Sequence, residues 1–186
     1  YVCALDRIIP LPEGVDPKAA VFLANMETAV NLVHDGNPRL GERVVVLGQG
    51  IVGILVSSVL AEFPLASLYA VDAIEARRGL ASQAGVQATF SPESDNDINA
   101  LSERLKLNES CGGADVVFEL TGSPAALNLA VDLCAYSGRI VVGSWYGTKS
   151  APINLGERFH RNRITIVSSQ VSTIAPELSG RWDKPR

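Results

Sequence analysis

The feature that most constrains the fold is a regular alternation of short apolar segments with segments of helical pattern. Stretches rich in β-branched and aromatic residues predict six strands, at residues 43–47, 67–71, 88–90, 115–120, 139–142 and 164–168. A leading helix, broken once, is predicted over 17–34, and further helices over 51–63, 75–84, 98–107, 123–136 and 154–161. Because strands joined through helices pair in parallel, we predict an α/β fold, a doubly wound six-stranded parallel sheet with helices on both faces.

A glycine-rich loop lies between the first predicted strand and the helix that follows it. The loop fits the pattern G-x-G-x-x-G with the residues Gly48, Gln49, Gly50, Ile51, Val52 and Gly53. In this position the first glycine permits a tight turn, the second lets a pyrophosphate approach the backbone, and the third lets helix and strand pack closely. The amides of the helix start would hold the phosphates. We therefore predict a Rossmann dinucleotide-binding site, the alternative being a glycine-rich turn that serves packing only.

Asp72 ends the second predicted strand, about 20 residues after the last glycine of the loop, where a carboxylate accepts hydrogen bonds from the adenosine ribose. A carboxylate there repels a 2′-phosphate, which favours NAD, although NADP stays possible. Arg77 and Arg78 follow one turn later and could stack on adenine or pair with a phosphate; the alternative is that they are solvated surface cations.

The loops after the later strands should reach the same ligand, because open parallel sheets bind ligands at the carboxyl ends of their strands. These loops contain small residues that leave room for the nicotinamide ribose and carboxamide. The candidates are Thr121 and Gly122 after the fourth strand, Gly143, Ser144 and Trp145 after the fifth, and Ser168 and Ser169 after the sixth.

Composition and charge exclude several other classes of protein. A hydrophobic fraction of 47% supports a packed core, and a net charge of −4 argues against a nucleic-acid partner. The longest apolar stretch, residues 50–61, is shorter than the roughly 20 residues of a membrane span, so we expect no membrane partner. Cys3, Cys111 and Cys134 lie far apart and indicate neither a disulfide framework nor a zinc site, which suits a cytoplasmic protein.

No catalytic residue can be assigned from the sequence. His34 and His160 are interpreted as surface residues, and Tyr146 and Lys149 have the wrong spacing for a Tyr-x-x-x-Lys pair. Glu119 could act as a base, but a carboxylate at a strand end more often has a packing or ribose-side role.

The whole order of segments resembles the coenzyme-binding half of the medium-chain dehydrogenases, the relatives of zinc alcohol, sorbitol and threonine dehydrogenases. The resemblance covers nearly all of residues 1–170 and is carried by the segments DRIIPLPEGVDPKAA, LGERVVVLGQGIVG, YAVD, GADVVFELTGSP, GRIVVGSWYG and RNRITIVSSQ. It implies an NAD(P)-dependent oxidoreductase that acts on an alcohol or carbonyl substrate.

The resemblance also assigns roles to single residues. Arg77 matches a basic residue beside the adenosine, and Thr28 falls near a residue that touches the nicotinamide. Zinc-bearing relatives place a Cys or Glu on the leading helix, a position that falls here on Ala24, with Glu27 one turn further on. Zinc is therefore uncertain, and a zinc-free reductase is an alternative.

The resemblance implies three parts of this chain: a connecting segment and leading helix over 1–40, the NAD(P)-binding domain over 41–170, and a tail over 171–186. It also implies that a GroES-like catalytic domain is absent from the chain, which we expect to be catalytically incomplete. In this family the sixth strand often pairs with its two-fold mate. Residues 164–168 carry no Lys or Pro in the centre of this edge, so we expect a homodimer.

Two other functions fit part of the pattern. An S-adenosylmethionine-dependent methyltransferase also has a glycine loop and an acidic residue after its second strand, although the third glycine favours a dinucleotide. A nucleotide-sensing module without chemistry of its own would share the whole binding pattern. Binding tests with both ligands address the first alternative, and an upstream barrel-coding segment in the same reading frame would argue against the second.

Overall fold

The computed structural model describes residues 2–8, 10–171 and 173–182. Among these residues the strands are β1 (Arg43–Leu47), β2 (Ser67–Val71), β3 (Ala88–Phe90), β4 (Ala114–Glu119), β5 (Cys134–Val142) and β6 (Thr165–Ser168). The helices are α1 (Pro17–Ala20), α2 (Leu23–Gly36), α3 (Ile51–Ala61), α4 (Glu75–Gln83), α5 (Asp95–Arg104), α6 (Ala126–Leu133) and α7 (Arg158–Arg161). Short 3-10 turns occupy Leu5–Arg7 and Pro176–Leu178.

All six strands belong to one parallel sheet with the order β3-β2-β1-β4-β5-β6. The chain moves outward from β1 to β3, then returns to the other side of β1 and continues to β6. The order of the strands therefore reverses between β1 and β4, which opens a crevice at their carboxyl ends. The predicted doubly wound parallel sheet is confirmed.

Helices cover both faces of the sheet. Successive residues of the central strand β1 point to opposite faces and so pack against different helices. Val45 and Leu47 of β1 join the core cluster beneath α5, α6 and α7. Val44 and Val46 join the cluster beneath α2, α3 and α4. Every residue from 44 to 47 is buried, which explains why the strand is continuously apolar in sequence.

The leading helix is broken as predicted and is part of the core. The Asp16 side chain accepts a hydrogen bond from the Lys18 N–H and caps α1, which begins at Pro17. The chain bends over residues 21–22 and then forms α2, whose Ala29, Leu32 and Val33 are buried against the sheet. These contacts place α2 beside the glycine loop.

The boundary between α6 and β5 differs from the sequence prediction, which extended the helix from Ser123 to about Tyr136. The helix ends at Leu133 and β5 already begins at Cys134, which pairs with Ala114 of β4. The extra residues form a bulge, marked by a shift of register between Ala114 and Val116. Ser123 does not cap the helix through its side chain; its carbonyl accepts the Ala126 N–H in a turn before α6.

Two other helices also have different bounds. Helix α5 begins at Asp95 rather than at residue 98, because Ser94 Oγ accepts the Asp97 N–H while Asp97 accepts the Ser91 N–H. Helix α7 is confined to Arg158–Arg161, and turns occupy the preceding residues. For α5, local polar contacts set a limit that apolar periodicity does not show.

The C-terminal part of the chain packs against the end of α2. Trp182 meets the ring of His34 edge-on, with centroids 4.8 Å apart, and Asn37 donates to the Glu177 carboxylate. His34 is thus half-buried rather than a fully exposed surface residue, whereas His160 is exposed as expected. No helix in the described part of the chain has the length and apolar character needed to cross a membrane.

Candidate functional site

The glycine loop lies at the point where the order of strands reverses. Gly48 follows β1 with a φ of +89°, and a Cβ at this position would lie 2.7 Å from the backbone of Leu120, which follows β4. The Gly48 N–H donates to the Val71 carbonyl at the end of β2. Only glycine combines this left-handed conformation with so close an approach of two segments of the chain.

The other two glycines have opposite surroundings. A Cβ on Gly53 would lie 1.9 Å from the Gly48 carbonyl oxygen, so this glycine lets α3 press against the loop. A Cβ on Gly50 would meet nothing within 4 Å, so the backbone at the start of α3 is open to a ligand. This arrangement has the space that a pyrophosphate needs at a helix N-terminus.

The remaining loop residues divide into buried and accessible groups. Gln49 is fully buried, its amide donates to the Val46 carbonyl, and its side-chain oxygen accepts from Ser57 of α3. The Gln49 side chain therefore supports the loop from inside rather than facing a ligand. Ile51 is exposed at the start of α3, and Val52 lines a cavity described below.

Asp72 joins the loop to the end of β2. The residue is only 7% exposed, and its carboxylate accepts the Gln49 N–H at 2.7 Å and the Ile74 N–H at 2.8 Å. Arg77 lies 3.8 Å from the carboxylate, while Arg78 donates to the backbone carbonyls of Asp72 and Ala73. The structure thus brings Asp72 and Arg77 together beside the glycine loop.

A cavity of about 290 Å³ lies beside the loop at the carboxyl ends of β4 and β5. Helix α2, helix α3 and the loops after the two strands each contribute to its wall. Seven residues named from the sequence line it together, although they come from distant parts of the chain: Thr28, Val52, Thr121, Gly122, Gly143, Ser144 and Trp145. Trp145, whose side chain is 91% exposed, stands at the same wall.

A buried polar cluster beside this wall was not recognised from the sequence. Glu119, the last residue of β4, is 0% exposed, and its carboxylate accepts hydrogen bonds from the Thr121 N–H, the Thr121 hydroxyl and the Tyr146 hydroxyl. Burial, reinforced by the adjacent carboxylate, raises the pKa of Tyr146 well above its ordinary value. A glutamate directly after the apolar run of residues 116–118 is the one signal that could have pointed to this cluster.

The described residues do not by themselves build a metal site. They include no group of three or more His, Cys, Asp or Glu side chains placed to hold an ion. Ala24 offers no ligand, and Glu27 is an exposed side chain on α2.

The family model of the zinc-binding dehydrogenases matches residues 52–183. The match spans most of the chain, from the end of the glycine loop onward. The chain therefore belongs to the zinc-binding dehydrogenase family, which agrees with the resemblance seen in its segments.

Two curated relatives and one solved structure illustrate the similarity. The chain is 28% identical over 180 residues to a D-guloside 3-dehydrogenase of Escherichia coli K12, covering 97% of this chain and 50% of that protein. It is 27% identical over 143 residues to a probable D-xylulose reductase A of Aspergillus fumigatus, covering 77% of this chain and 40% of the relative. The chain thus spans half or less of the length of these relatives.

The solved structure is an alcohol dehydrogenase of Escherichia coli CFT073, complexed with the cofactor NADH. It is 19% identical, its TM-score is 0.78, and the likeness covers 94% of this chain and 49% of that one. At this level of identity the likeness concerns the fold.

Proposed function

We propose that this chain is the nicotinamide-dinucleotide-binding domain of an oxidoreductase that transfers hydride between NAD and an alcohol or carbonyl substrate. The observation that carries the proposal is the open Gly50 at the start of α3, directly beside the cavity formed by α2 and the loops after β4 and β5. A bound dinucleotide supplies the hydride chemistry, and this chain supplies its binding site.

Each part of the cofactor has a counterpart in the site. The backbone at Gly50 would bind the pyrophosphate, and Asp72 would accept hydrogen bonds from the adenosine ribose. Arg77 would lie beside the adenosine. Thr28, Thr121 and the other residues of the cavity wall would contact the nicotinamide half.

We propose NAD rather than NADP as the preferred cofactor. Asp72 is nearly buried, and both of its carboxylate oxygens accept hydrogen bonds from backbone N–H groups. The carboxylate is therefore held in place next to the proposed ribose position. A 2′-phosphate would meet this carboxylate at short range, and like charges repel strongly where solvent is limited. Arg77 and Arg78 are the groups that would oppose this preference.

The whole protein would need a second domain to complete the reaction. The chain spans half or less of its curated relatives, so we propose a GroES-like catalytic domain elsewhere in the protein and any zinc ligands chiefly there. The names of those relatives favour a sugar or polyol as substrate. The exposed thiols of Cys3 and Cys111 suit the reducing cytoplasm.

We also propose that two copies associate through β6. This strand lies at one edge of the sheet, pairs with β5 alone among the described strands, and exposes most of its side chains. Its central residues, Ile166 and Val167, give the edge no charged protection against strand addition.

Calorimetric titration of the chain with NAD, NADP and S-adenosylmethionine tests the proposed function. We expect NAD to bind most tightly, and Gly50→Val to abolish binding because its side chain would fill the space for the pyrophosphate. Gly156→Val is a matched control, since a Cβ there has ordinary room and lies outside the site. Binding of S-adenosylmethionine instead would identify a methyltransferase, and no binding of any nucleotide would contradict the proposal.

A further inference from the structure

We propose that Glu119 and Tyr146 are positioning residues that hold the cavity wall in the shape that the nicotinamide half of the cofactor requires. This inference rests on the proposed function. It adds a role for two side chains that do not line the cavity themselves, and it predicts that they affect one half of the dinucleotide and not the other.

The first step of the argument is the connection that the Glu119 carboxylate makes. One oxygen accepts from the Thr121 N–H and hydroxyl, in the loop after β4, while the other accepts from the Tyr146 hydroxyl, in the loop after β5. A fully buried carboxylate is costly unless donors surround it, and here all three of these donors come from the two loops. The two loops are therefore tied to one buried charge.

A second connection joins the same loops at the cavity. The Ser144 hydroxyl accepts the Gly122 N–H at 2.8 Å and donates to the Glu119 carbonyl at 3.3 Å. Lys149, further along the second loop, donates to the Gly122 carbonyl at 3.1 Å. Thr121, Gly122 and Ser144 all line the cavity, so these contacts set the position of its wall.

The Tyr146 hydroxyl is the donor of this arrangement at neutral pH. Burial and the neighbouring carboxylate raise the pKa of its hydroxyl, so the phenol stays neutral and remains a donor. The hydrogen bond to Glu119 is therefore available at neutral pH. If the cavity wall is already fixed before the ligand arrives, binding costs less conformational entropy than it would with a mobile wall.

The adenosine half has different supports. The open Gly50 and the Asp72 carboxylate hold it, and their contacts involve β1, β2 and α3 rather than the loop after β5. Loss of the Tyr146 hydroxyl should therefore weaken the binding of NAD but leave the binding of ADP, which lacks the nicotinamide riboside, unchanged.

The experiment is a calorimetric titration of wild type and Tyr146→Phe with NAD and with ADP. Loss of a hydrogen bond to a charged group corresponds to a fall in NAD affinity of about ten-fold. We expect the affinity for ADP to stay within about two-fold, on the same scale. Tyr136→Phe is the matched control, because this tyrosine is 57% exposed and lies in the bulge of β5, away from the cavity.

A second variant, Glu119→Gln, removes the charge and keeps the size of the side chain. Its amide group would face the donors of the two loops, so we expect the same selective loss of NAD affinity. If this variant does not fold, the Tyr146→Phe result decides alone. Thermal unfolding of each variant is recorded beside the titrations, because a merely structural role would alter stability without altering the ratio of NAD to ADP affinity.

Two outcomes overturn the inference while leaving the proposed function standing. One is equal binding of NAD and ADP by the wild type, which would mean that the cavity contributes nothing. The other is an unchanged ratio of affinities in Tyr146→Phe. Failure of the wild type to bind either ligand would instead contradict the proposed function, and the inference with it.

Discussion

At the scale of single residues, the glycines of the loop show that one residue type serves opposite purposes. Gly53 is required because a neighbouring carbonyl occupies the place of its Cβ, whereas Gly50 has empty space around that place. The sequence pattern G-x-G-x-x-G does not distinguish these two glycines. Their surroundings separate the packing role of Gly53 from the proposed binding role of Gly50.

We predict that alanine at the two positions has different effects. Gly53→Ala would force its methyl group onto the Gly48 carbonyl and should lower the free energy of unfolding by about 2–3 kcal/mol. Gly50→Ala should change it by less than about 0.5 kcal/mol. Urea denaturation measures both values, and equal losses in the two variants would contradict this account.

The three thiols should also differ in reactivity. Burial raises the pKa of the Cys134 thiol to about 12, whereas Cys3 and Cys111 are exposed. At pH 8 we expect a chromogenic disulfide reagent to label two thiols of the folded protein rapidly, and the third only in denaturant. Rapid labelling of Cys134 in the native state would show that β5 opens at this point.

At the scale of secondary structure elements, Arg139 of β5 fastens the end of α2 to the sheet. It donates to both carboxylate oxygens of Glu42, at 2.9 and 2.7 Å, and to the Gly36 and Asn37 carbonyls at the end of α2. Orphan carbonyls at a helix end need such partners. This contact holds in place the helix that carries Thr28 to the cavity.

Replacement of Arg139 should be costly for this reason. We expect Arg139→Met to lower the free energy of unfolding by about 2–3 kcal/mol, because it leaves the half-buried Glu42 carboxylate without the guanidinium that contacts both of its oxygens. Arg161→Met, an exposed position on α7, is the control and should have little effect. Chemical denaturation measures both, and similar losses would contradict the special role of Arg139.

The same pair predicts a dependence of stability on pH. Burial acts to raise the pKa of Glu42, but hydrogen bonds from Arg139 and the Arg39 N–H outweigh it, so the pKa in the folded state is below the ordinary 4.5. The stabilisation is therefore complete above pH 4.5 and is lost as the pH falls through the folded pKa. Unfolding curves between pH 6 and pH 3 should show this acid-labile part in wild type and lack it in Glu42→Gln.

At the scale of the whole molecule, β6 is the edge strand on which the proposed dimer depends. One side of the strand pairs with β5, and the described chain provides no neighbour for the other side. Parallel sheets normally have such edges covered or protected. Pairing of two copies along this edge would continue the sheet from one molecule into the other.

We predict that a charge on this edge separates the proposed dimer. Ile166 is 36% exposed, so Ile166→Lys should leave the fold intact and shift the protein to monomers in sedimentation at micromolar concentration. Leu80→Lys, an exposed apolar position on α4, is the control and should remain dimeric. A monomeric wild type would refute the proposal.

The sequence by itself determined the parallel sheet, the glycine loop and the place of Asp72, because each depends on neighbours in the chain or on the regular order of its elements. Strands β1, β2 and β3 have the predicted limits for this reason. The tertiary structure alone decided the rest. Cys134 became a strand residue through pairing with Ala114, which no local pattern of residues 123–136 reveals.

The polar cluster at the cavity wall is the clearest case of a feature that only the tertiary structure decides. Glu119 and Tyr146 are 27 positions apart and meet only because β4 and β5 are neighbours with a fixed register. Read along the chain, one is a strand-end carboxylate and the other a tyrosine with the wrong spacing for a known pair. The role of a buried carboxylate depends on the hydrogen-bond donors that surround it. Strand pairing, rather than distance in the sequence, decides which donors these are.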